Sequence, residues 1–273
     1  MVNSIKEFLS ESDTISEIKL LLPYDKNKVI VVVEGDYDKD LFGSLLSSNI
    51  DIIQSYGGCS QLENIVCNHF KDEDRVIGIR DKDYLEIPAA EKCFFYDYSC
   101  AEMMIVSLDS CFERLFIKFY RGGKMSSSEL RLFCLEHLEK LSKLRKLSFQ
   151  LGWKIRFDGI KPSHCYDPSV EQMDKTIVAE LNRMNPGNEI DSSRIELCEE
   201  LPKCESLQDY LMITNGHDFV NLFAKVAGRK KKAGEDNVEI SMQSTFGPEE
   251  FKVTSLYNSL LSYQTNKKVV IVS

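Results

Sequence analysis

The run Val29–Val33, VIVVV, constrains the fold more than any other stretch of this chain. All of its residues are β-branched, stiff at χ1 and suited to extended backbone. A strand without polar alternation is buried on both faces, the mark of a parallel sheet with helices on either side. The run is far too short to cross a bilayer, which takes about 20 apolar residues in a helix, and the other apolar runs are no longer. Three further segments read as strands: 50–56, 75–80 (RVIGIR) and the short 93–96. Between them, Tyr37, Leu41, Phe42, Leu45 and Leu46 lie at helical spacing. Ser60 reads as the N-cap of a helix running to Phe70, with Glu63 three residues on as in a capping box. Strands alternating with helices at this spacing predict an α/β fold with a mostly parallel sheet flanked by helices.

Beyond about residue 100 the character changes. Apolar periodicity predicts helices over 101–119, 126–151, 170–182, 206–213, 217–226 and around 249–263, with a final strand-like VVIV at 269–272. Residues 4–22 carry one or two short amphipathic helices. The expected organisation is an N-terminal helical segment (1–27), an α/β domain (28–110) and a mainly helical C-terminal region (111–273).

Composition narrows the function. With 34 Lys and Arg against 43 Asp and Glu, the formal charge is −9, which argues against a protein that coats nucleic acid by bulk charge. It leaves room for an enzyme with a local basic groove and an acidic metal site. The nine Cys include no CxxC pair and sit mostly among apolar residues, so buried free thiols in a reducing cytoplasm are expected. The four His are scattered without ligand spacing, which argues against zinc. The first residues lack a basic stretch followed by an apolar core, so no signal peptide is expected. There is no Walker A sequence, so the chain is not itself a P-loop ATPase.

In an open parallel sheet, functional side chains gather past the carboxyl ends of the strands. The first strand delivers Glu34, with Asp36 and Asp38 close behind. The third delivers Asp81 and Asp83. If these strands are neighbours, Glu34 and the Asp81/Asp83 pair converge at one edge, where crowded carboxylates raise one another's pKa unless a cation neutralises them. Hard oxygen ligands suit Mg²⁺ or Mn²⁺ and metal-assisted phosphoryl chemistry. The plainer reading of each acid alone is a helix cap or a solvated loop residue. Both motifs in order, one βα unit plus a strand apart, are more specific.

That pair of motifs resembles a known family. Residues 29–42, VIVVVEGDYDKDLF, resemble the first motif of the TOPRIM (topoisomerase–primase) family: a hydrophobic strand, Glu-Gly, then an Asp four residues after the Glu. Residues 75–83, RVIGIRDKD, resemble its second motif, a strand ending in DxD. The likeness covers roughly residues 28–110. Within the family, the EGxxD form, the DKDY segment and the helical half look most like nucleases of the overcoming-lysogenization-defect type. More narrowly, with AEMM (101–104) and GHDF (216–219), they look like the small TOPRIM effectors of the PARIS anti-phage defence system, which are paired with an ABC-type ATPase.

The resemblance implies a Mg²⁺-dependent nuclease. It implies Glu34 as general acid/base or metal ligand, Asp81 and Asp83 as metal ligands, Asp38 as a ligand or its supporter, and Glu102 as a further acid. No Tyr can be matched to a topoisomerase nucleophile, and primase modules are missing. The implied partners are a nucleic-acid substrate, RNA such as tRNA or DNA, and the ATPase. Homo-oligomerisation stays open. Arg229, Lys230, Lys231 and Lys232 form a basic run suited to a nucleic-acid backbone or a partner, although such runs are mostly solvated faces. Gly57-Gly58 reads as a βα turn, Asp218 as a helix cap, and Trp153 as a core or interface residue. The rival class is a non-catalytic TOPRIM-fold subunit that binds a nucleotide or partner protein.

Overall fold

The computed structural model describes residues 10–121, 123–166, 173–228 and 234–272, with the side chains of 173–175 excepted. The chain divides into two compact units. One comprises Met1–Ala101 together with Phe246–Ser273, and the other Glu102–Thr245. The division falls at residue 101 rather than at 110, and the last segment joins the sheet-bearing unit rather than the helical one.

The first unit is built on a four-stranded, all-parallel sheet of β1 (Val29–Val33), β2 (Ile50–Gln54), β3 (Val76–Arg80) and β4 (Cys93–Phe95), in the order β2-β1-β3-β4. The central strand β1 is buried along its whole length, as its unbroken β-branched run requires. Ile30 and Val32 face a cluster made by Ile18 and Leu22 of α1 (Glu11–Tyr24), and by Leu62, Ile65 and Val66. Leu62 belongs to α3 (Gly58–Asn64), which continues as a π-helical turn over Ile65–His69. The isolated glycine of β3 has a packing reason. A Cβ on Gly78 would lie 2.7 Å from Leu62 Cδ2, so its absence lets α3 approach the sheet.

Successive residues of a strand point to opposite faces, and the other face is covered by aromatic rings. Phe42 of α2 (Asp36–Phe42) stacks on Tyr96 at 5.9 Å and meets Phe251 of α13 (Pro248–Lys252) edge-on at 6.0 Å. Tyr263 of α14 (Ser255–Lys267) meets Phe94 edge-on at 5.5 Å. Asp97 fixes the start of α14 by accepting from the N–H groups of Ser255 and Leu256, at 2.8 and 2.9 Å.

Two expectations are corrected here. Residues 269–272 do not join the sheet. The N–H groups of Ile271 and Val272 donate instead to the Gln264 side chain, at 2.6 and 2.9 Å, while both residues remain buried. Ser60 caps no helix, because α3 begins at Gly58 and the Glu63 side chain turns to Arg80.

The second unit is helical, with α4 (Ala101–Ser107) leading into it, followed by α5 (Asp109–Phe119), α6 (Ser127–Leu151), α7 (Pro162–Cys165), α8 (Met173–Met184), α9 (Ser192–Glu200), α10 (Leu207–Ile213), α11 (Gly216–Ala227) and α12 (Glu235–Thr245). The long α6 starts at a capping box, in which the Ser126 N–H donates to Glu129 Oε2 and the Glu129 N–H to Ser126 Oγ, at 2.7 and 3.3 Å. It ends at Gly152 with a φ of 63°. Phe112 of α5 packs edge-on against Phe219 and Phe223 of α11, at 6.3 and 5.7 Å.

Candidate functional site

β1 and β3 are hydrogen-bonded neighbours in parallel register, Ile30 opposite Val76 and Val32 opposite Gly78. Continuing that register brings Glu34 beside the Arg80–Asp81 step. The contact is direct, with the Asp81 backbone N–H donating to Glu34 Oε1 at 3.1 Å. Asp83 sits two residues on with a left-handed φ of 50°, a conformation that Asp tolerates better than most residues. Its N–H donates to Ser99 O at 3.0 Å. Glu34, Asp81 and Asp83 therefore gather at the carboxyl edge of one sheet.

Arg80 and Glu63, the latter expected only as a capping-box partner of Ser60, belong to the same cluster. The Arg80 side chain is 4% exposed. Its Nη1 contacts Glu63 Oε1 at 2.7 Å, its Nη2 contacts Asp83 Oδ2 at 3.0 Å, and its Nε donates to Asp81 O at 2.8 Å. Glu34 Oε1 lies 3.9 Å from Nε. The signal for this is present in the sequence. Arg80 is in phase with Val76 and Gly78, so period-2 alternation aims it at the face that α3 covers.

Electrostatics single out Glu34. Burial pushes its carboxyl from the ordinary 4.5 up to about 7, against the Asp81 N–H and the Arg80 charge, which pull it down. Asp83 is also raised by burial, despite Arg80. The neighbouring Cys59 thiol is pushed up by burial as well, so it does not present an activated thiolate.

Asp38 stands at the start of α2. Its carboxylate accepts from the Tyr96 hydroxyl at 2.5 Å and from the Gly35 N–H at 3.0 Å. It caps α2 and ties that helix to the end of β4. Glu102 lies in the helical unit, buried against the first residue of α11, where a Cβ on Gly216 would fall 2.3 Å from Glu102 Oε2. A side chain at 216 would require that carboxylate to shift. The AEMM and GHDF segments thus meet through Glu102 and Gly216. Asp218 does not cap α11. Asn215 does, accepting from the Asp218 N–H at 3.2 Å, while the buried Asp218 carboxylate pairs with Arg145 through two contacts of 2.7 and 2.9 Å. The exposed His217 has Nδ1 3.4 Å from Glu239 Oε1, and that carboxylate favours its protonated form.

Three other basic residues of the helical unit are engaged within it. Lys143 pairs with Glu139 at 2.7 Å, Lys140 with Glu199 at 3.6 Å, and Lys118 donates to Ser241 Oγ at 2.7 Å. Trp153 is partly covered, with the Arg194 guanidinium 5.2 Å from its ring centre. The basic run Arg229, Lys230, Lys231 and Lys232 lies outside the described residues.

Mg²⁺ is usually held by one or two carboxylates, with water and substrate phosphate completing its shell. The hard donors Glu34, Asp81 and Asp83 match that chemistry. Among the described residues, no group of three or more His, Cys, Asp or Glu side chains is placed to hold a metal ion. Glu34 and Asp83 are engaged instead by the Asp81 N–H and by Arg80. Among the described residues, no helix is long and apolar enough to cross a membrane. No protein-family model matches the chain, and no curated protein matches it.

Proposed function

We propose that the chain is a Mg²⁺- or Mn²⁺-dependent nuclease that hydrolyses phosphodiester bonds in RNA or DNA. The observation that carries this reading is the β1–β3 register, which sets Glu34 against Asp81 at the carboxyl edge of a parallel sheet with Asp83 beside them. The likeness of 29–42 and 75–83 to the two TOPRIM motifs supports it. Asp81 and Asp83 hold the cation, with Glu34 as ligand or proton carrier. When bound, the cation supplies positive charge against the scissile phosphate and makes water a better nucleophile at neutral pH. Glu34, with its carboxyl raised to about 7, holds or releases a proton close to physiological pH, the property wanted of a general acid or base. Asp38 supports the site from behind by fixing the start of α2. The narrower resemblance supports a cytoplasmic effector of anti-phage defence, held silent by a partner ATPase until released.

The decisive experiment incubates the purified chain with a tRNA pool and with single- and double-stranded DNA, in Mg²⁺ and in EDTA. Cleavage that needs Mg²⁺ and disappears in Glu34→Gln supports the reading. Its absence on every substrate, with a folded protein, refutes it. One observation favours a second reading, a non-catalytic TOPRIM-fold subunit: Arg80 already neutralises part of the acid cluster. Under that reading no variant of Glu34 changes any nucleic acid, and the chain acts through a bound nucleotide or protein.

A further inference from the structure

Two thiols meet on the face of the sheet that α3 covers. Cys93 is the first residue of β4, opposite Gly78 of β3, and is 1% exposed. Cys67 sits in the π-helical turn that follows α3, packed against the same core cluster, and is partly exposed. Their Sγ atoms lie 3.4 Å apart, and both are free thiols. The sulfurs of a disulfide are about 2 Å apart, so this pair needs only a short approach to be joined. Neither thiol has a part in the nuclease reading. The chain between them, residues 68–92, carries β3 with Arg80, then Asp81 and Asp83. A bond here closes a loop around those residues and fastens the edge strand β4 to the turn after α3.

We infer that Cys67 and Cys93 form a reversible disulfide when the protein meets a hydroperoxide, and that this bond makes the stability of the sheet-bearing unit depend on its redox state. Exposure sets the order of events, because only Cys67 of the two reaches solvent. Its thiolate attacks one oxygen of the peroxide and the O–O bond breaks. The sulfur becomes a sulfenic acid, and the other oxygen leaves as hydroxide and takes up the proton shed by the thiol, giving water. Cys93 then attacks the Cys67 sulfur. The S–S bond forms, and the sulfenic hydroxyl leaves with the Cys93 proton as a second water. Burial pushes the Cys93 thiol up, and the Cys67 sulfur beside it adds to the effect, so this second step is the slower one. In balance, two thiols and one hydrogen peroxide give one disulfide and two waters. A thiol reductant restores both cysteines by exchange.

The test treats the unaltered full chain with hydrogen peroxide, blocks the remaining thiols with N-ethylmaleimide under denaturing conditions, and maps the unreduced peptides by mass spectrometry. A Cys67–Cys93 linked pair, released by dithiothreitol, is expected, while the fully buried Cys111 and Cys134 are recovered as blocked thiols. Links between other cysteines, survival of both thiols in a large excess of peroxide, or passage of Cys67 to its sulfinic acid without a link each overturn the inference. The oxidised protein is expected to melt roughly 5–10 °C above the reduced one. An unchanged or lowered melt overturns the stabilising role of the bond. The order of steps is read with dimedone, which traps sulfenic acids. Cys93→Ser should collect the label at Cys67, and Cys67→Ser should leave Cys93 unlabelled. Labelling of Cys93 in the second variant overturns the assignment of Cys67 as the sulfur oxidised first.

Discussion

Glu34 is asked to be charged by its neighbours and neutral by its surroundings. The Asp81 N–H and Arg80 favour the carboxylate, and burial outweighs them. A carboxyl whose pKa rises on folding favours the fold while protonated. That contribution is whole below the unfolded-state value, near 4.5, and is lost as pH climbs through about 7. In the absence of divalent cations the protein is therefore expected to lose on the order of 1–3 kcal/mol across that window. Denaturant melts at successive pH values should show a flatter profile for Glu34→Gln. The same variant should cut Mg²⁺-dependent cleavage by roughly 10²–10⁴-fold at unchanged fold, read as rate per folded molecule. Tyr96→Phe is the contrasting case. It leaves the Asp38 carboxylate short of a buried donor, at a cost of about 1–3 kcal/mol. The rate per folded molecule should hold, because Asp38 acts here as a helix cap. Glu34, Asp81 and Asp83 were legible as strand-end acids. Arg80 is legible only through its phase with Val76 and Gly78, and Glu63 only once α3 is placed over that face of the sheet.

Elements were legible where burial wrote a regular pattern. β1 is an unbroken apolar run, β3 is apolar up to Arg80, and α6 repeats leucines at helical spacing behind a complete capping box. α9 and α12 escaped the reading, since the buried face of α12 includes Ser241 and Thr245 beside Val238 and Met242. The final VVIV has strand composition, yet its amides are taken by Gln264 before any ladder can claim them. Composition alone does not say where backbone donors go. The junction of α11 with Glu102 gives a prediction at this scale. Gly216→Ala places a methyl group inside contact distance of the Glu102 carboxylate, and overpacking of this kind costs about 1–3 kcal/mol. Thermal melts should register the loss, and Glu102→Ala in the same chain should recover part of it by opening the space.

At the scale of the whole molecule, the sheet-bearing unit is assembled from two distant stretches of chain. Phe251 is the clearest anchor, with Phe42, Phe246 and Tyr257 around its buried ring. Phe251→Ala is expected to destabilise that unit by about 3–5 kcal/mol. Hydrogen exchange should then speed up first at amides of β1 and β3, while those of α6 and α11 keep their protection. If both sets lose protection together, the two units unfold as one cooperative body. The discontinuity is not legible in the sequence, since nothing in the local pattern of 246–272 reveals which earlier segment will receive it.

The return of residues 246–272 to the sheet orders events on the ribosome. Chains emerge from the N-terminus, and domains fold as units. The strands bearing Glu34, Asp81 and Asp83 leave the exit tunnel long before Phe251, Tyr263 and Ile271, which cover Phe42 and Phe94 or fasten to Ser47. Until then the sheet has one face bare. An activity resting on that strand edge thus stays immature through most of translation, and a half-made copy interrupted in the helical stretch carries all of the acids without the packing that steadies them.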